Sequence, residues 1–208
     1  MTDNSLLALG RFQDLRRIAV GLMIVVLAVV FSFGQAAYAH DSAAHRAIEM
    51  LGLVLIVVGI AGRLWSTLYI GGRKSNQIVA IGPYSVTRNP LYVFSSVAAA
   101  GVGAQMGSLT AMVLFCVLCI LVFHVVILRE ESFLRANFGK AFEEYVARVP
   151  RFFPNPALYR DEPVVTFDPR LLRKATLDSL FFFVAPLVAA GIQALQQANL
   201  MPVLFRLY

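Results

Sequence analysis

Five apolar runs divide the chain, at residues 18–39, 47–70, 91–106, 109–128 and 177–200, with polar stretches at 1–17, 71–90 and 129–176. The runs do not alternate polar with apolar positions, and four of them reach the roughly 20 residues that a helix needs to cross a bilayer. The pattern predicts an all-α, polytopic membrane bundle of about five transmembrane helices in a single membrane domain spanning 1–208. The first run follows Arg16-Arg17 and ends in Ala37-Tyr38-Ala39 before His40, so it reads either as a span or as a secretory signal with a small-x-small cleavage pattern. The third is short and rich in small residues, Ala98 to Ala100, Gly101, Gly103 and Ala104, which let helices approach closely in lipid. Gly107-Ser108 leaves room only for a helical hairpin between the third and fourth runs. The fourth continues without a breaker into polar sequence as far as Asn137. Gly139 marks a bend, Lys140 to Arg148 forms a further helical piece, and Pro150 ends it. Residues 151–174 carry prolines and charges and read as a surface loop; Pro186 predicts a kink in the last span.

Composition agrees. Of 208 residues, 59% are hydrophobic and only 14% charged, and the mean hydropathy is +0.72, outside the range of soluble domains. The net charge of +6 follows topology: three Lys/Arg lie in the amino-terminal tail, three in 71–90 and nine in 129–176, against Arg46 and Arg206 on the other side. The positive-inside rule therefore places 71–90 and 129–176 in the cytosol, and nothing in the distribution points to nucleic acid. Arg63, within the second run, either snorkels to an interface, the safer reading, or faces a polar cavity. Cys116 and Cys119 sit in an apolar run with no second pair and read as packing. No metal-ligating set is read.

The chemistry concentrates near the membrane surface. In IGPYSVTRNPLY, residues 81–92, two turn dipeptides stiffen the backbone that presents Tyr84, Arg88, Asn89 and Tyr92, and Pro90 fixes the start of the next helix. Arg129-Glu130-Glu131 lies where the fourth run leaves the membrane. A hairpin of the third and fourth runs brings Arg88 and Asn89 to the same mouth as Glu130 and Glu131, a charge pattern suited to a zwitterionic ligand. Phe138 to Pro154 follows, an amphipathic helix with Phe142, Tyr145, Val146 and Val149 mostly on one face and then Val149-Pro150-Arg151.

GPYSVTRNPLY, a short hairpin and REESFLRANFGKAFEEYVARVPRFFP, in that order, resemble the isoprenylcysteine carboxyl methyltransferases and their relatives, the phospholipid N-methyltransferases, over residues 50–155. The resemblance implies S-adenosylmethionine bound at the cytosolic end of the hairpin and a lipid-like or prenylated acceptor, carboxylate, amine or thiol, arriving from the bilayer. Matched position by position, Arg88, Asn89, Pro90 and Tyr92 answer to an Arg-His-Pro-x-Tyr motif, Glu130 and Glu131 to paired glutamates, and Tyr145, Pro150 and Arg151 to a Tyr…Val-Pro-Arg ending. Gly101 and Gly103 answer to a Gly-x-Gly of the phospholipid branch, and Tyr84 joins the cofactor set. Asn89 replaces the motif's histidine; it keeps hydrogen bonding but not proton transfer. The implied roles are Glu130 and Glu131 on the cofactor's ammonium or ribose, Arg88 on its carboxylate, and Arg151 or Arg63 on an anionic acceptor. For an amine acceptor, one glutamate is the base. NADPH-dependent sterol-type reductases share part of this pattern, and a noncatalytic scaffold or small transporter is the alternative from another class. The acceptor, the oligomeric state and the role of the fifth span stay open.

Overall fold

The computed structural model describes residues 29, 32–71 and 77–208. Most of the first apolar run lies outside them. Its described end is not helical: β1 (Gly34–Ala36) pairs in parallel with β2 (Phe205–Leu207), Gly34 opposite Phe205. Helix α1 (Ala43–Ile70) is capped by Ser42, whose hydroxyl accepts the His45 N–H. A short turn of helix, α2 (Pro83–Val86), precedes α3 (Pro90–Ala104) and α4 (Leu109–Phe138). Then come α5 (Lys140–Arg148), α6 (Pro169–Leu180) and α7 (Val184–Gln197).

Among the described residues three helical stretches are long and apolar enough to cross a membrane, Ala43–Ile70, Leu109–Phe138 and Pro169–Gln197, with Pro90–Ala104 shorter. Their order gives the all-α membrane bundle expected. The packing of α1 on α3 rests on small residues. The buried positions of α1 include Ile48, Gly52, Ile56, Gly59, Gly62 and Ser66, a stripe at three- and four-residue spacing. A Cβ on Gly52 would stand 2.8 Å from the Gly101 carbonyl, and one on Gly101 would stand 2.6 Å from the Gly52 carbonyl. The two backbones therefore touch through glycines on both sides, the contact that drives association where lipid removes any hydrophobic gain.

The α3–α4 hairpin closes through Gln105–Ser108, with Gly107 at φ +65° and the Ser108 hydroxyl accepting from Ala111 N–H. Gly103 lies against the Ala111 backbone across this turn. Helix α4 runs ten residues past the end of its apolar run before Gly139, at φ +48°, breaks it. Helix α5 then folds back, burying Phe142, Tyr145 and Val149 and exposing Glu143, Glu144 and Arg148.

The sequence reading differs from the structure at the carboxy-terminal side in two ways. Helix α6 begins at Pro169, eight residues before the apolar run, because Asp168 caps it by accepting from Arg170 N–H at 2.8 Å and Pro169 suits the first helical position. The break expected at Pro186 falls upstream, at the 3-10 turn Phe181–Phe183, since a proline disturbs the carbonyl four residues before it, here Phe182. Helix α7 buries no residue.

Candidate functional site

Residues 82–89 and 150–160 are laced together by main-chain bonds. Arg88 N–H donates to Pro150 O at 2.9 Å, Asn155 N–H to Val86 O at 2.8 Å and Gly82 N–H to Arg160 O at 2.7 Å. Side chains add to the seam. Asn89 Nδ2 donates to Arg151 O at 2.8 Å, Thr87 Oγ1 to Phe152 O at 3.1 Å, and the Tyr145 hydroxyl to Tyr84 O at 2.8 Å. The rigid loop expected from the prolines thus gains a second strand of chain along its length.

Glu131 is the centre of this seam. It is 6% exposed and accepts from Arg88 Nε at 3.1 Å, Arg88 Nη2 at 3.0 Å, and Arg151 Nη2 at 2.9 Å and Nε at 3.1 Å. Arg88 also donates through Nη1 to Val146 O at 3.0 Å and Val149 O at 3.1 Å. One carboxylate therefore joins the start of α3, the exit of α4 and the segment after α5. With two guanidiniums on one carboxylate, the trio carries one net positive charge, and the Arg151 side chain is the exposed member at 42%.

Arg88 and Glu131 of the trio also line a cleft of about 70 Å³, with Tyr84, Asn89, Tyr92, Glu130, Tyr145 and the segment 77–79. The Tyr84 hydroxyl is fully buried without a hydrogen-bond partner. Burial, reinforced by the neighbouring Tyr145, pushes its pKa well above the usual tyrosine range, so it is a neutral donor at any working pH. Burial likewise raises Tyr145.

The remaining sequence-marked residues lie elsewhere. Gly101 and Gly103 are about 18 Å along α3 from Asn89 and face α1 and α4, as described above. Arg63 does not snorkel. It donates to Ser95 Oγ and to Ser179 Oγ at 3.3 Å, and its guanidinium sits 5.8 Å from the Phe182 ring centre. There it lines a second, larger cavity of about 550 Å³ whose walls include Ala99, Cys119, Phe123 and Val188. Helix α6 brings Ser179 and the following turn brings Phe182, and these partners turn the side chain inward. The cavity was missed in the sequence, where only the isolated arginine among apolar residues hinted at it. Tyr92, on the cleft, stacks on Phe123, on the cavity, with ring centres 4.6 Å apart. The linings of the two spaces meet at this ring pair.

Residues 47–141 match the profile of a family described as phospholipid methyltransferase. The chain belongs to the phospholipid methyltransferase family. It is 33% identical over 183 residues to the nickel-cobalt-cadmium resistance protein NccN of Alcaligenes xylosoxydans xylosoxydans, covering 88% of this chain and 84% of that protein. It is also 33% identical over 212 residues to the cobalt-zinc-cadmium resistance protein CzcN of Cupriavidus metallidurans, covering 97% of each. No solved structure matches. As a member of this family the chain is a membrane methyltransferase, and the family match takes in Arg88, Glu130 and Glu131 but stops before Tyr145 and Arg151.

Proposed function

We propose that the protein transfers a methyl group from S-adenosylmethionine, held at the Glu131 end of the hairpin, to an apolar or lipid-like acceptor in the cavity beside Arg63. The observation that carries this reading is a small cleft holding a buried, unpartnered donor, Tyr84, whose lining meets that of a cavity of about 550 Å³ at the Tyr92–Phe123 ring contact. The polar residues fit the cofactor's amino-acid portion. Tyr84 offers a neutral donor, Glu130 a carboxylate for an ammonium or ribose, and the half-exposed Arg151 a cation for a carboxylate. Glu131 and Arg88 are engaged with one another, so their part is to position Arg151 and the loop. A whole nucleoside needs more than 70 Å³, since ligand pockets are typically about 300–1,000 Å³. Binding therefore requires the cleft to widen.

When bound, S-adenosylmethionine supplies an electrophilic methyl group on a sulfonium. The chain's contribution is to exclude water and to bring the sulfonium methyl and the acceptor atom within about 3–3.5 Å of one another, for which the Tyr92 and Phe123 rings have to part; such alignment can be worth about 7–11 kcal/mol. Arg63 orients an acceptor carboxylate; for an amine acceptor, Glu130 is the carboxylate on the cleft that can take the proton. The excess of Lys and Arg in the two loops supports a cytosolic position for this end. Both relatives are named for resistance to cobalt and cadmium. Methylation of a carboxylate or thiol removes its anionic form and so weakens it as a ligand for such cations, and we carry that setting over as part of the proposal.

Calorimetry on detergent-purified protein tests the reading. Saturable binding of S-adenosylmethionine, lost when Glu130 and Glu131 are both replaced by alanine, is the expected result. Binding of NADPH in its place moves the protein to a reductase chemistry, and binding of neither favours a scaffold.

A further inference from the structure

At the other end of α1, about 35–40 Å from the cleft, three ligating side chains converge. His45 and Glu49 are one turn apart on α1, and His40 precedes the cap. His45 Nε2 lies 3.1 Å from His40 Nδ1 and 3.2 Å from Glu49 Oε1. All three ligand atoms fall within 4.8 Å of one another. We propose that His40, His45 and Glu49 bind one divalent transition cation of borderline softness, the class that includes Zn²⁺, Co²⁺ and Ni²⁺.

The spacing suits coordination. Ligands at about 2.0–2.2 Å from a tetrahedral cation stand roughly 3.3–3.5 Å apart, close to the two contacts to His45 Nε2. Two imidazoles and a carboxylate select cations of this class over calcium or magnesium, which take oxygen ligands. The rings meet edge to face, centres 4.7 Å apart and planes at 71°, so they are not simply stacked.

Protonation alone satisfies the cluster poorly. A histidine nitrogen carries at most one proton, yet Nε2 has two polar neighbours at bonding distance. Nδ1 of the same ring is buried without a partner, so the ring's polar outlet is Nε2. Coordination requires the Nε2 lone pair, which moves the ring proton to Nδ1, and the coordinate bond has to offset that buried N–H. The site leaves one tetrahedral position open to water.

The surroundings hold the ligands in place. Gly107 packs on the His45 ring so closely that a Cβ there would stand 2.1 Å from Nδ1. Gln105 Nε2 donates to the Glu49 carbonyl at 3.0 Å, and Gln193 Nε2 donates to Glu49 Oε1 at 3.3 Å. His45 is buried, whereas His40 is exposed, so a cation reaches the site from the aqueous side. Binding ties the segment leading from β1 to the start of α1, at the rim of the larger cavity, which His40 and His45 also line.

The test uses full-length protein without a polyhistidine tag, in detergent, titrated with Co²⁺ and followed by visible absorption, then competed with Zn²⁺. The expected result is one equivalent bound with the intense bands of a tetrahedral centre, displaced by Zn²⁺. His40→Gln and Glu49→Gln should each weaken binding tenfold or more while melting as the wild type does in metal-free buffer. His40 is exposed, so its replacement leaves the fold intact. Absence of saturable binding, a weakly coloured octahedral species alone, or affinity unchanged in both variants would overturn the assignment.

Discussion

Glu131 accepts from two guanidiniums, and what happens when its charge is removed differs between them. Arg88 is almost as buried as its partner, with 8% side-chain exposure against 7%. Glu131→Gln therefore leaves a buried cation without a counter-charge, and unfolding in detergent should show a loss of about 3 kcal/mol. Arg151, 42% exposed, is screened by water and adds little to that figure. Tyr84→Phe should act the other way on the ligand-free protein. It removes a buried hydroxyl with no partner, so melting should rise by the equivalent of about 1 kcal/mol while S-adenosylmethionine affinity falls. A rise in melting with unchanged affinity would remove Tyr84 from the cofactor contacts. At the surface, the hydroxyls of Tyr159 and then Tyr69 donate to Asp161 and hold its carboxyl below the ordinary range; the same bond pushes Tyr159 up to about 12. A lowered carboxylate stabilises the fold above its ordinary value and loses that contribution as pH falls through the lowered one. The tie between Tyr159–Asp161 and α1 should therefore hold through the ordinary aspartate range and open only at a pH below it. Hydrogen exchange around residue 160 should report this, and Asp161→Asn should abolish the pH dependence.

At the scale of the helices, the α1–α3 seam makes a separate claim. Gly101→Leu drives a side chain into the Gly52 carbonyl and should cost about 1–3 kcal/mol or more. Because the cleft lies far along α3, cofactor affinity should change far less than stability. The α3–α4 hairpin, the bend at Gly139 and helix α5 were legible from apolar runs and turn residues, since these follow from local chemistry. The small-residue run on α3 was legible too, but its partner stripe on α1 was not, because those glycines are spread among larger apolar residues. Asp168-Pro169 carried a helix-start signal that the surrounding charges and prolines hid. The β1–β2 pairing joins residues about 170 apart, and no local pattern announces it. The site was legible as a set of residues brought to one mouth. Which arginine stays exposed depends on backbone carbonyls of Val146 and Val149 that only the folded chain supplies. His40, His45 and Glu49 had an i, i+4 signal in sequence, but the third ligand comes from outside the helix.

Across the whole molecule, a small cleft, a ring contact, a larger apolar cavity and a cluster of potential ligands follow one another from one end of α1 to the other. Under the proposed function, two spaces make cofactor and acceptor binding separable. Ala99→Phe, on the cavity wall, should raise the acceptor KM several-fold and leave the S-adenosylmethionine Kd within about twofold, as filling a pocket by a ring removes the space an apolar ligand needs. A matching loss of both would mean that the two spaces act as one. The Glu131 junction also bears on biogenesis. Its two arginines lie 43 and 20 residues away in the chain, so during synthesis the carboxylate meets Arg88 when the hairpin inserts, but Arg151 only after α5 has emerged. A nascent chain halted before that point holds its hairpin without the outer seam, and it should be unable to bind cofactor. Under the proposed function, competence for chemistry would then arrive in one late step, after the membrane hairpin is already in place.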